Sequence, residues 1–227
     1  ADGKFATMTV FRSEEVAAWT LHETDGLALS VSVVGEDIYL LINRSGTFTI
    51  EQFDATLNMD SALTGSVGTP ATVWSGLGHL EGRNVTIIAD GIVQDPQTVT
   101  GGAITLAQAA SAVEIGLPYT HIVEPLPPSA VDTGGAGRTV RLVEAVLRLE
   151  TTAALRLDTG RGMRDVSLRQ LGEDPILDAP PPQVSGDIRV RALGWQEDSD
   201  APLWRIEQSI PLPFTLLSVT TEMVVND

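Results

Sequence analysis

Residues 78–91 read GHLEGRNVTIIADG and place His79 and Glu81 two positions apart, so that on an extended strand both side chains would point to the same side. A base and an acid so placed could move protons on a substrate. General acid–base chemistry also needs a nucleophile or a substrate cleft, and nothing nearby supplies either. The other two histidines, His22 and His121, stand in separate segments; with no HExxH, no HxH and no cysteine in the chain, a zinc site is not expected. The acidic clusters Glu36-Asp37, Glu173-Asp174 and Glu197-Asp198-Ser199-Asp200 offer the hard oxygen ligands that calcium takes, but none has DxDxDG spacing and each reads as a solvated turn. GxSxG, GxxxxGK[ST] and GxGxxG are absent, and the glycine cluster TGGAGR at 133–138 has no lysine to reach a phosphate. No catalytic, cofactor-binding or metal-binding residue is assigned, and neither an enzymatic activity nor a cofactor is expected.

The elements around these residues follow a period of two. From Val143 to Leu157 the odd positions carry Val, Ala, Leu, Leu, Thr, Ala, Leu and Leu, while Glu144, Arg148, Glu150 and Arg156 take even ones. In DIRVRAL, Asp187, Arg189 and Arg191 alternate with Ile188, Val190 and Ala192 in the same way, as on a half-buried strand. Asp25-Gly26, Ser45-Gly46, Asp90-Gly91, Gly101-Gly102 and Thr159-Gly160 punctuate these runs as hairpin turns. Residues 5–53 read as a meander of four or five strands, FATMTVFRS, VAAWTLHE, LALSVSVV, DIYLLINR and TFTIEQF, the length of one propeller-like blade. The segments near 57–74 and 124–138 read as irregular breaks, 171–186 as a long loop, and SEEVAAW and TLAQAAS as the only short helix candidates. Trp19, Trp74, Trp195 and Trp204, too scattered for a base-stacking platform, are expected as core and interface anchors.

The chain has 227 residues, 43% of them hydrophobic, which suits a packed core, and no apolar run of the roughly 18 residues that a membrane span requires. It is expected to be soluble, without a membrane anchor. Its N-terminus lacks the basic-then-apolar order of a signal peptide, and the strand pattern that starts within four residues of Ala1 suggests an excerpt from a longer polypeptide. A net charge of −16 is spread along the chain with no acidic tail, which disfavours gripping nucleic-acid phosphates but permits lining a path along which DNA slides.

Three phrases, in order, carry a family resemblance. The first is ADGKFATMTVFRSEEVAAWTLHETDG with SVSVVGEDIYLLINRSG and IEQFD; the second is GLGHLEGRNVTIIADGIVQDPQTVTGGAITL with VEIGLPYTHIVEPLPP; the third is RIEQSIPLPFTLLSVTTEMVVND. Together they resemble the tail tubular protein B family, the tail nozzle proteins of short-tailed bacteriophages, or a related protein of a gene transfer agent or prophage. The resemblance implies a structural virion protein, the C-terminal part of a longer chain, that forms a homo-oligomeric ring, hexameric in short-tailed phages. Stacked below the portal and its adaptor and above tail fibre or tip proteins, such rings extend the channel through which genomic DNA leaves without being specifically bound. Under that reading a subset of acidic residues, at Glu36-Asp37 or at Glu197 to Asp200, faces the lumen, and His79 and Glu81 fix a turn or a domain junction. A glycan- or receptor-binding β module of a phage-like particle is the alternative, and a hydrolase using His79 and Glu81 a more distant one. The expected fold is all-β in three pieces: a propeller-blade-like meander at 1–68, a small hairpin-rich β domain at 69–127 and a β-sandwich-like C-terminal domain at 128–227.

Overall fold

The computed structural model describes residues 3–11, 13, 15–127, 140–168, 179–191 and 201–225. The protein is all-β: sixteen strands in antiparallel sheets, none of them closed into a barrel, and no α-helix among the described residues. They fall into two compact units, one drawn from 1–89 and 94–117, the other from 90–93 and 118–227. The expected boundary at 68 lies inside a strand of the first unit.

In the first unit β1 (Lys4–Phe11) and β2 (Val16–Glu23) pair as an antiparallel two-stranded ribbon. β3 (Leu27–Val34), β4 (Asp37–Arg44) and β5 (Thr47–Gln52) form a separate three-stranded sheet. The five strands of the expected meander are therefore present in succession, but they divide between two sheets, because β2 and β3 share no hydrogen-bonded ladder. SEEVAAW, expected as a helix, instead leads into β2, where Trp19 pairs with Met8 across the ribbon. β6 (Asp60–Ser75), β7 (Asn84–Ala89), β8 (Ile92–Thr98) and β9 (Ala103–Leu117) make a four-stranded sheet in the order β6-β9-β7-β8.

Two expectations are corrected by this sheet. Residues 57–74, read as a break, hold all but the last residue of the 16-residue β6, and TLAQAAS, read as a helix, lies within β9. The Gly, Ala and Thr of β6 hide the strand pattern, yet β6 pairs with β9 over most of its length through three register shifts, and its edge position tolerates Pro70. Gly65 on β6 leaves room for the Trp74 ring: a Cβ there would lie 2.8 Å from Trp74 Cζ3. The turn chemistry is as expected, with Ser45-Gly46, Asp90-Gly91 and Gly101-Gly102 each at positive φ for both residues, the geometry of tight hairpin loops. The core of this unit gathers Trp74, Leu80, Val85, Ile87, Ile104, Leu106, Val113 and Ile115. Val85, Ile87 and Ala89 share the buried face of β7, as their spacing predicts.

In the second unit β11 (Val140–Thr152) lies between β14 (Val184–Arg191) and β16 (Thr215–Val225). A second sheet orders β10 (His121–Val123), β15 (Arg205–Gln208), β12 (Arg156–Asp158) and β13 (Arg164–Asp165). Both sheets contribute to one core, with Ala145, Leu147 and Leu149 from one and Leu157 and Ile206 from the other, joined by Trp204. The alternation expected to run unbroken from Val143 to Leu157 breaks at a bulge after Leu149. There Thr151 takes a φ of 45° and Thr152, an even position, turns inward. The buried Thr152 hydroxyl is satisfied by the Glu150 carbonyl at 3.0 Å and the Thr215 N–H at 3.1 Å. The alternation of Ile188 and Val190 with Asp187, Arg189 and Arg191 holds on β14, with the charged side exposed and paired to Arg148 and Glu144 of β11. Ala192, Trp195, Glu173-Asp174, Glu197 to Asp200, most of the break expected at 124–138 and the first half of the loop expected at 171–186 lie outside the described residues, and the last three residues of that expected loop, 184–186, belong to β14 instead.

Candidate functional site: a buried ion-pair joint

His79 and Glu81 do not sit on a strand face. Residues Gly78–Leu80 make a single 3-10 turn ahead of β7, and each of the two side chains is committed to backbone. Glu81 accepts the N–H groups of Gly101 and Gly102 at 2.9 and 2.6 Å, so its carboxylate caps the tight turn between β8 and β9. His79 Nε2 lies 3.2 Å from the Ser61 carbonyl at the start of β6. The backbone around them is tied by the same logic: Gly82 N–H donates to Val99, and Val99 N–H to Arg83.

Beside this turn lies a residue that sequence reasoning did not single out. Arg44 ends β4, and its side chain is only 8% exposed. Ile38, Leu40, Ile42 and Arg44 share parity on β4, and Leu40 and Ile42 are buried, so the strand carries a guanidinium to the inner side of its sheet. A charge at a core-parity position is the signal that could have found it. Burial on its own would lower the Arg44 pKa; the Glu51 hydrogen bond and the charges of Asp60 and Glu51 outweigh it and raise the value. The geometry is a fork: Arg44 donates to Glu51 Oε1 and Oε2 at 3.1 and 2.8 Å, to Asp60 Oδ1 and Oδ2 at 3.2 and 3.3 Å, and to Thr24 Oγ1 at 2.8 Å, and it also contacts the Asp25 carbonyl.

The carboxylates are held in turn. Thr24 donates to Asp60 Oδ1 at 2.9 Å and Asp25 N–H to Asp60 Oδ2 at 3.0 Å, while Thr49 donates to Glu51 Oε1 at 2.8 Å. Desolvation acts to raise the Glu51 pKa, but hydrogen bonds from Arg44 and Thr49 and the Arg44 charge overcome it and hold the group below the ordinary carboxylate value. Arg83, one residue past the Gly82 turn, forms an ion pair with the Asp25 carboxylate. The TDG turn, the end of β4, β5, the start of β6 and the HLEG turn are thus joined through charged side chains. A cavity of about 220 Å³ lined by Arg44, Ser45, Thr47, His79, Glu81 and Arg83 lies among them. Each ionisable group on that list already has a protein partner, so the arrangement fixes backbone segments to one another.

The remaining histidines are apart from this joint. His22 stacks on Phe5 with ring centroids 4.9 Å apart, meets Phe53 edge-on at 5.1 Å and bonds Thr7 Oγ1 at 2.9 Å; burial lowers its pKa. His121, also lowered by burial, contacts Tyr119 and Phe214. Glu36 is exposed in the β3–β4 turn, and Asp37 accepts a bond from Gln52 at 2.9 Å. Trp74 and Trp204 are core residues as expected, whereas Trp19 stands in solvent at 71% exposure. Among the described residues no three His, Asp or Glu side chains converge as a metal site requires, and no helix is long and apolar enough to cross a membrane. No protein-family model and no curated protein matches the chain.

Proposed function

We propose that this chain is a structural subunit of a phage or phage-like particle tail, a homo-oligomeric nozzle-type ring that continues the DNA exit channel below the portal and its adaptor. One observation carries the reading. Five polar residues within the phrases that resemble the nozzle family, Thr24, Asp25, Arg44, His79 and Glu81, are spent on fixing turns and strand ends around one joint, which is the work of a scaffold rather than of a reaction centre. The acidic surface agrees with a wall that DNA passes without adhering. The test is negative-stain microscopy of the purified chain and of particles that contain it, with closed rings around a central channel as the expected result. A chain that stays monomeric in every preparation and binds host polysaccharide saturably would overturn the proposal in favour of a recognition module, for which the exposed Trp19 is the natural sugar platform.

A further inference from the structure

The β1–β2 ribbon has two unlike faces. Phe5 and His22 on one face pack with Phe53, which follows β5, and so fix the ribbon as an arm. The register places Met8 opposite Trp19, Ala6 opposite Leu21 and Val10 opposite Ala17 on the other face. Met8, Val10, Trp19 and Leu21 are 47% to 71% exposed. A two-stranded ribbon with an uncovered apolar face is marginal in water.

The outer face of the β3–β5 sheet repeats the feature. Pairing of Leu27 with Asn43, Leu41 with Ile50 and Asn43 with Phe48 puts Leu27, Phe48 and Ile50 on one side, and Val34 joins them through its pairing with Asp37. Those four apolar side chains are 39% to 76% exposed. They point away from the inner side that carries Leu40, Ile42 and Arg44.

Among the described residues, charge stands at the margins of both faces. Lys4 and Glu23 pair with each other at the base of the arm, and Asp37 at the edge of the sheet is bonded to Gln52. In a chain with a net charge of −16, two largely apolar faces whose charged groups stand at their margins have the composition of interface cores. Their sizes match as well. Taking roughly 200 Å² for a large side chain fully exposed, each face offers about 450 Å² of apolar surface, and one covering the other buries on the order of 900 Å². A polar rim of roughly 300 Å² more would bring this into the roughly 1,200–2,000 Å² of a stable protein–protein interface.

We infer that a second copy of this chain is the occupant: the apolar face of the β1–β2 arm of one copy seats on the outer face of the β3–β5 sheet of the next. Because the two faces differ, the contact is head-to-tail, the kind that closes into a ring or extends as a filament. The arm does not cover its own sheet, since both faces are exposed in the same chain. The inference rests on the reading of the chain as an assembling subunit and names the surfaces that assemble.

Sedimentation velocity on the 227-residue chain in three forms tests it: the wild type, an arm variant (Trp19→Ser with Leu21→Ser) and a face variant (Phe48→Ser with Ile50→Ser). All four positions are exposed, so circular dichroism should be unchanged; a variant that loses it is replaced by Trp19→Ser or Ile50→Ser alone. The wild type is expected to associate and each variant to be weakened by more than about thirty-fold, the effect of losing a hot-spot residue. Mixing the variants should give a 1:1 dimer, because the intact arm of one meets the intact sheet of the other. A mixture that stays monomeric, a variant that associates like the wild type, or a wild type that is monomeric at its highest soluble concentration would each overturn the inference. Rings in the microscope that survive both variants would discard this contact while leaving the subunit reading in place.

Discussion

Replacing Arg44 by alanine tests whether the joint holds the first unit together. The substitution leaves the carboxylates of Glu51 and Asp60, with side chains 20% and 15% exposed, facing each other without the cation that neutralised them. Removing one partner of a buried ion pair costs about 3–5 kcal/mol, a large part of the roughly 5–15 kcal/mol that stabilises a typical domain. In urea, with a slope of about 2 kcal/mol per molar, a loss of about 4 kcal/mol moves the midpoint by about 2 M. Amide exchange of peptides from β4, β5 and β6 reports the unit concerned. Arg44→Lys keeps the charge but not the fork and should lose about half as much. The pH dependence supplies the sharper check. In the wild type the Glu51 pKa is lowered, so its contribution is present above the ordinary carboxylate value and is lost as pH falls through the folded one. Without Arg44, desolvation dominates and the folded pKa rises, so the penalty of the variant is greatest at neutral pH and shrinks on acidification. A loss under about 1 kcal/mol, flat with pH, is the behaviour of an exposed pair and would refute the reasoning.

Glu81→Ala leaves the Gly101 and Gly102 amides without their acceptor and should cost about 1–2 kcal/mol, with faster exchange at those two amides and no loss of any catalytic rate. Glu114→Gln should stabilise the protein at neutral pH, read by urea denaturation. Burial raises the Glu114 pKa, against the bond from Asn58 N–H at 2.8 Å and with help from the charge of Asp54. Its contribution is therefore full below the ordinary value of 4.5 and lost as pH rises through the folded one, and the advantage of the glutamine should vanish in acid. Self-association of the wild type should strengthen as salt is raised, because screening relieves repulsion between chains of charge −16, and light scattering across a salt series would reveal the opposite trend if charge pairs made the contact.

The strands of residues 5–53 were legible because alternation and paired turn residues are local signals, and the positive φ of Ser45-Gly46 and Gly101-Gly102 is what those residue types permit. Which strands share a sheet was not legible: β2 and β3 succeed one another as smoothly as β3 and β4, and only the pairing itself separates them. β6 was hidden because small residues and Pro70 have weak strand preference, and its strand form comes from β9. TLAQAAS shows the reverse case, a helix-favouring composition overridden by its pairing with β6, where Thr105 meets Val73 and Ala110 meets Ala71. The bulge at Thr151 shifts the parity of Thr152 without any glycine to announce it. For the joint, Glu81 was named but its partners lie 20 and 21 residues on, and Arg44 reaches Asp60 over 16; contacts of that range leave no periodic trace.

The distribution of charge links the joint, the arm and the proposed assembly. Copies that each carry −16 repel at close range, and screening at physiological ionic strength leaves that repulsion effective within about 8 Å, the distance at which an interface forms. Ion pairs between copies could offset it only with cations to spare, and several arginines are already committed within the chain: Arg44 to Glu51 and Asp60, Arg83 to Asp25, Arg148 to Asp187 and Arg205 to Glu124 and Glu207. The arm and the β3–β5 sheet answer this by presenting surface whose attraction does not depend on charge, with acidic side chains held to its edges. The joint then matters to assembly through position. Thr24 and Asp25 lie between the arm and the sheet, and their bonds to Arg44 and Asp60 hold the end of β2 against the end of β4. A rigid angle between two unlike faces is what lets a head-to-tail contact close into a ring of fixed size instead of a filament of variable pitch. In the proposed ring the buried Arg44 network would set the geometry, and the exposed apolar faces would supply the cohesion.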